Sequence, residues 1–295
     1  MPKPGIGIGP KSNAGQPPDR GHKVITLRTS IAQGLRHVGL LGLVDDVLAR
    51  SQQLRTFRLR HAYQDLHPDF VLPPADIAYD AFGPWTPAKY RAQGASHADY
   101  ITELIQRHRP EPQSICEWGC GPMRVLRHMP THFPRAKLTG LDYNPRTIQW
   151  CKANFDKIDF VTNGLEPPLP LASGTFDVIY AISVFTHLSE RNHRAFARDL
   201  IRCLAPDGIL IVTLHGDRYA DKLTRAETTA YQRGHLVVRD HAIEGKRTFV
   251  AFHSRAYVRE LFRQYEIVEH DVEDRIANFR QDTWVIRRGA RVDAG

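Results

Sequence analysis

From about residue 114 the chain adopts a rhythm that restricts its fold more than any other feature. Short apolar runs of strand length alternate there with segments of helical length. A strand over Ser114–Trp118 leads into a glycine-rich loop and a helical segment through His128. Lys137–Leu141 is a second strand, followed by a helix from about Pro145 to Asn154, and Asp159–Thr162 is a third. Phe176–Ala181 is a fourth, with a helix from about Glu190 to Leu204 behind it. The turn Pro206-Asp207-Gly208 opens a fifth strand, Ile209–Leu214, and after an irregular stretch come a helix over Arg255–Arg263 and strands over Glu266–His270 and Thr283–Arg287. Short apolar strands separated by helices predict an α/β fold, a seven-stranded, mostly parallel, Rossmann-like sheet with helices on both faces.

The N-terminal part is different. Residues 1–23 are rich in Pro and Gly without periodicity, which predicts a flexible tail. Gly5-Ile6-Gly7-Ile8-Gly9 resembles a nucleotide loop, but no strand precedes it and Pro10 follows. From Val24 to about Leu66 apolar residues recur at helical spacing (Val38, Leu41, Val44, Leu48, Leu54, Phe57), with Arg50, Arg55, Arg58 and Arg60 between them. Residues 67–87, rich in Pro and aromatics, read as an ordered connector without regular structure, and helix resumes around Ala98–Arg107. The expected division is therefore a tail at 1–23, a helical N-terminal extension and cap at 24–110, and a catalytic domain at 111–295 carrying a lid-like insertion at 217–255.

Composition sets limits on what the chain does. With 42% apolar residues in 295, a wholly disordered or low-complexity chain is excluded. The longest aliphatic stretch, Val38–Val44, is too short to span a bilayer. No secretory signal opens the chain, and four Cys without a zinc-type pairing point to a reducing cytoplasm. The net charge of +8 suggests an anionic partner until it is located: residues 1–60 hold 10 basic and 3 acidic side chains, and the remainder 30 and 29. The excess belongs to the N-terminal attachment, where docking on the catalytic body competes with a peripheral membrane or RNA contact through residues 24–60.

The chemistry concentrates in Glu117-Trp118-Gly119-Cys120-Gly121-Pro122-Met123-Arg124. A Gly-rich turn between a first strand and its helix lets a ligand approach backbone N–H groups, and Asp142, 23 residues after Gly119 at the end of the second strand, can accept hydrogen bonds from both ribose hydroxyls. Strand, turn, helix, strand and acid in that order specify a nucleoside cofactor. A dinucleotide fingerprint starting at Gly119 would need Gly or Ala at 124, where Arg stands. Plainer roles exist beside these: Glu117 as an ion-pair partner, Asp142 as a helix cap, Asp177 as a structural carboxylate.

These residues resemble the class I S-adenosylmethionine-dependent methyltransferases of the bacterial small-molecule type. Glu117-x-Gly119-x-Gly121 is similar to the first motif, Gly140-Leu141-Asp142 to the ribose-binding acid, and Asn163-Gly164-Leu165 to the adenine contact. Phe176–Tyr180 and Leu204–Leu210 resemble the fourth strand and the turn into the fifth. The resemblance covers roughly residues 90–290 and implies S-adenosylmethionine as cofactor, held by Glu117, Gly119, Cys120, Gly121, Asp142, Tyr143, Asn163, Gly164, Leu165 and Ile182. Met123 and Asp207 depart from it, each standing where glycine is commoner. Tyr90 precedes the first strand, where members often cover the cofactor.

Removing a proton from a hydroxyl acceptor needs a base, and imidazole serves near neutral pH. His187 and His215 both follow sheet strands at the carboxyl edge and are the candidates. The Asn/Asp-Pro-Pro-aromatic motif of enzymes acting on exocyclic amines is replaced by Ala181-Ile182-Ser183-Val184, and no carboxylates gather there for a metal. The expected reaction is thus metal-independent methyl transfer to a small-molecule or glycan hydroxyl. An RNA methyltransferase using the basic N-terminal segment and a non-catalytic cofactor-binding protein are the competing readings.

Overall fold

The computed structural model describes Gly34, residues 40–272 and residues 279–289. The tail expected at 1–23 and most of the helical stretch expected before residue 40 lie outside the described residues. Three helices come first: α1 (Leu41–Leu66), α2 (Ala75–Phe82) and α3 (Pro87–His108). The sheet follows with β1 (Ser114–Trp118), the one-turn α4 (Met129–His132), β2 (Lys137–Asp142), α5 (Pro145–Asn154), β3 (Asp159–Thr162) and β4 (Phe176–Ile182). Then come α6 (Glu190–Cys203), β5 (Leu204–Leu214) and α7 (Arg225–Gln232). A hairpin of β6 (Leu236–Arg239) and β7 (Val250–His253), α8 (Arg255–Leu261), β8 (Glu266–Asp271) and β9 (Asp282–Arg287) complete the order.

Seven strands form one sheet in the order β3-β2-β1-β4-β5-β9-β8. The first five pair in parallel, and β9 joins β5 and β8 antiparallel. Alternation along the central strands feeds two cores. Ile115, Val178, Tyr180, Ile209 and Ile211 face α3 and α5, whereas Cys116, Ile179, Leu210 and Val212 face α6 and α8. The chain leaves β1 toward β2 on one side and returns to β4 on the other, so the carboxyl ends of β1 and β4 flank a topological switch point, where open α/β sheets bind ligands.

Local chemistry fixes several ends. Thr86 accepts the Lys89 N–H and precedes Pro87 at the first turn of α3, so that helix begins well before Ala98. Residues 67–87 are not wholly irregular: Pro74 opens α2 and Gly83, at φ +70°, closes it. The Asp177 carboxylate accepts the Gln113 and Ser114 N–H groups at 2.7 and 3.1 Å and ties β4 to the start of β1. The expected helix after β1 is largely missing, and residues 119–125 form turns before a short 3₁₀ segment, Leu126–His128. Met123 is buried there at φ +69°, a left-handed conformation in place of helix.

Asp207 takes the same conformation at φ +58° on the exposed turn, beside Gly208, whose Cβ would stand 2.9 Å from the Ala205 and Phe176 carbonyl oxygens. Asp207→Gly should therefore raise stability by about 0.5–1 kcal/mol in thermal denaturation, while Gly208→Ala lowers it. A destabilised Asp207→Gly protein would contradict the strain assigned to this turn.

Candidate functional site

A cleft of about 970 Å³, solvent at its mouth included, opens at the switch point. Its floor is made of Trp118, Gly119 and Gly121 after β1, Asp142, Tyr143 and Asn144 after β2, Asn163, Gly164 and Leu165 after β3, and Ile182, Ser183 and Val184 after β4. His187 and Leu188 stand at its side.

The turn after β1 is bound to the end of β2. Gly119 and Cys120 donate their N–H groups to the Leu141 carbonyl at 2.7 and 2.8 Å. Gly121 donates to Asp142 Oδ2 at 3.0 Å, and Asn144 to Oδ1 at 2.8 Å. These amides serve the fold, and no regular helix follows them, so the turn is not the phosphate cradle that a dinucleotide needs. A Cβ on Gly119, at φ +75°, would collide with Val184 across the cleft.

Asp142 is buried at the cleft wall, and desolvation pushes its carboxyl up to about 6 against the lowering effect of the Asn144 and Gly121 N–H groups. Each of its oxygens accepts one N–H and retains a lone pair for a ribose hydroxyl. Asn163 donates Nδ2–H to the Gly164 carbonyl, and its buried Oδ1 has no partner among the described residues. A buried acceptor left unpaired is costly, and an adenine amine would satisfy it. Tyr143, Leu165, Ile182 and Trp118 supply flat and apolar surface around these two polar groups. The residues present fit an adenosine-bearing, phosphate-free cofactor.

Three expected site residues are placed otherwise. Glu117 turns away from the cleft: its Oε2 accepts the Leu126 N–H at 3.0 Å and the Tyr180 hydroxyl at 3.1 Å. Burial raises this carboxyl to about 8. Cys120 also turns inward, because the missing side chain of Gly140 leaves space that its Sγ, Leu126 and Phe160 fill. His215 is outside the cleft lining. Its ring stacks on Tyr219 with centroids 4.2 Å apart, Nδ1 meets the Ala251 carbonyl at 3.2 Å, and burial, with His187 adding to it, lowers its pKa to about 3. Tyr90 is no cover either; it is buried and donates to the Pro122 carbonyl, supporting the turn from beneath.

His187 does line the cleft. Its Nδ1 lies 2.7 Å from the Phe249 carbonyl, an acceptor, which fixes the proton on Nδ1 and leaves Nε2 with its lone pair. Burial holds its pKa below the ordinary histidine value.

Two segments beyond the sheet close the cleft. Ile77, Asp80, Ala81 and Phe82 come from α2, Gly245 and Arg247 from the loop between β6 and β7. Lys246 Nζ binds both Asp80 oxygens at 3.0 and 3.1 Å, and Arg247 pairs with Asp45 of α1. Sequence reasoning did not name Asp80 or Arg247. Pro74 and Gly83 were the signals for α2, but nothing local announces pairs between residues 166 and 202 positions apart.

A switch-point cleft with a buried acid, a glycine turn and an unpaired acceptor fits a nucleoside cofactor on a Rossmann-like sheet. Residues 116–212 match the methyltransferase domain family. Trans-aconitate 2-methyltransferase of Acidovorax sp. is 28% identical over 131 residues, 44% of this chain and 49% of the relative. Malonyl-[acyl-carrier protein] O-methyltransferase of Legionella pneumophila is 26% identical over 139 residues, 46% and 48% of the two. The chain spans about half the length of the curated relatives it matches. An O-methyltransferase family protein from Burkholderia thailandensis shares the fold at TM-score 0.51 and 14% identity, over 69% of this chain and 58% of the other. So does a SAM-dependent methyltransferase from Methanosarcina mazei, at 0.50 and 15%, over 64% and 98%. Over residues 116–212 the chain is thus similar to methyltransferases, and its fold is one that S-adenosylmethionine-dependent methyltransferases share. The cleft residues fit the cofactor that the sequence leads one to expect, S-adenosylmethionine.

Asp142→Ala should weaken S-adenosylmethionine binding roughly tenfold to a hundredfold in calorimetry, the loss of two charge-assisted hydrogen bonds, and unchanged affinity would contradict the ribose role. Glu117→Gln should leave affinity nearly intact. The Glu117 carboxyl is raised in the folded state, so its ionisation opposes folding progressively from its unfolded value near 4.5 up to about 8. The stability advantage of Glu117→Gln over wild type should accordingly grow between about pH 5 and about pH 8 in denaturant melts.

Proposed function

We propose that this protein transfers a methyl group to a hydroxyl oxygen of a small molecule or glycan, without a metal, with His187 as the base. The observation that carries the reading is the free Nε2 of His187 at the cleft wall, its other nitrogen committed to the Phe249 carbonyl. S-adenosylmethionine supplies an electrophilic methyl group on a sulfonium leaving group. Little is then asked of the protein beyond alignment and one proton transfer. Asp142 holds the ribose and Asn163 the adenine edge, while His187 Nε2 takes the proton from the acceptor as its oxygen attacks. Closure by α2 and the β6–β7 loop excludes water from the attacking atom.

Arg247 favours a second reading, a carboxylate acceptor, since its guanidinium lines the cleft and is balanced by a single acid, Asp45. Trans-aconitate and the malonyl group, in the names of the relatives, both carry carboxylates. A carboxylate is already ionised and needs no base.

Incubating the protein with methyl-labelled S-adenosylmethionine and fractionated host extract tests the function. Label is expected in a small-molecule or glycan fraction; label in RNA, or no acceptor-dependent release of S-adenosylhomocysteine, would contradict it. With the acceptor in hand, His187→Ala should lower kcat by about a hundredfold or more and leave cofactor affinity within roughly twofold. If turnover instead survives in His187→Ala and fails in Arg247→Ala, the acceptor is a carboxylate. Because the His187 pKa is lowered in the folded protein, the base stays neutral through neutral pH, and the acid limb of the kcat profile should fall below the ordinary value of 6.5.

A further inference from the structure

We propose that the outward face of α1 is a docking surface for a membrane with anionic headgroups. The helix meets the body through polar side chains and exposes apolar ones. The side that meets the body is polar, with Asp45 on Arg247, Gln52 on the Trp85 carbonyl, buried Thr56, and Arg60 on the Pro73 carbonyl, at spacings of seven, four and four. Much of the remaining surface carries large apolar residues, with Leu43, Val47, Leu54 and Phe57 grouped opposite the body and Leu48, Leu59 (51% exposed) and Leu66 (77%) on the flank. Leu43 is 62% exposed, Val47 65%, Leu48 51%, Leu54 80% and Phe57 61%. Scattered exposed leucines need no explanation, but a run of them along one helix is a contact surface.

Charge selects the occupant. Arg50 and Arg58 are exposed between and beside the apolar residues, and Arg55 is exposed on the flank near Leu48. Long arginine stems can lie along apolar surface while their heads reach headgroup phosphates, the arrangement of a helix lying in the membrane interface. Against a second copy of the chain, an isologous contact would bring these three arginines toward their own counterparts, in a segment whose first 60 residues carry 10 basic and 3 acidic side chains. Anionic lipid has the complementary sign. Among the described residues no helix is long and apolar enough to cross a membrane, so the mode is interfacial. This surface is distinct from the cleft, and the proposal does not depend on the methyl acceptor.

The test is co-sedimentation of the full chain with phosphatidylcholine vesicles, with and without about one-third phosphatidylglycerol, together with sedimentation velocity in their absence. The expected result is binding to the anionic vesicles alone, weakened by salt. Leu43→Ser/Val47→Ser/Leu54→Ser and, separately, Arg50→Gln/Arg55→Gln/Arg58→Gln should each weaken binding at least tenfold. All six positions are exposed, so both variants should keep the wild-type melting temperature and S-adenosylmethionine affinity. Three results would overturn the proposal: no vesicle binding by the wild type, undiminished binding by the folded apolar variant, or a stable dimer that this variant dissociates.

Discussion

The turn after β1 is held against the end of β2 by three amide hydrogen bonds, two to the Leu141 carbonyl and one to the Asp142 carboxylate. The cleft depends on this clasp. It holds Gly119 close against Val184 and fixes the Asp142 carboxylate at the cleft wall. It also uses the N–H groups that an otherwise similar fold would offer to a pyrophosphate. One set of hydrogen bonds thus shapes the cleft and occupies the amides that a pyrophosphate would need. The buried pair below it, Glu117 with the Tyr180 hydroxyl and the Leu126 N–H, supports the turn from the core side.

A second constraint is closure. The sheet by itself leaves the cleft open, and its cover comes from opposite ends of the sequence: α2 and α1 on one side, the β6–β7 loop on the other. Two ion pairs join them, Asp80 with Lys246 and Asp45 with Arg247. Neither pair is fully buried, so neither is a large stability term, and both can open without leaving an isolated charge in the core. Opening this seam therefore needs no unfolding of the sheet.

The strands were readable because each is a run of apolar residues bounded by Gly, Pro or polar turns, and Asp142 because a strand and a glycine turn precede it. The location of the switch-point cleft follows from that order alone. The directions of side chains do not. Glu117 and Cys120 sit in the motif yet point into the core, since Tyr180, Leu126 and the empty Cβ position of Gly140 receive them there. His187 and His215 are equivalent in sequence, each just beyond a sheet strand. Carbonyls of the β6–β7 hairpin region bind both rings, and the hairpin leaves His187 at the cleft and covers His215. Met123 marked a departure, and its consequence, a left-handed residue and turns where a helix was expected, required the backbone itself.

Amide hydrogen exchange of the full chain, with and without S-adenosylhomocysteine, tests the cleft most directly as the place where the cofactor binds and the cover closes. Slowed exchange is expected at residues 119–123, 142–144 and 163–165, and in the covering loop at 245–247. Protection confined to other parts of the chain, or none at saturating ligand, would contradict the account.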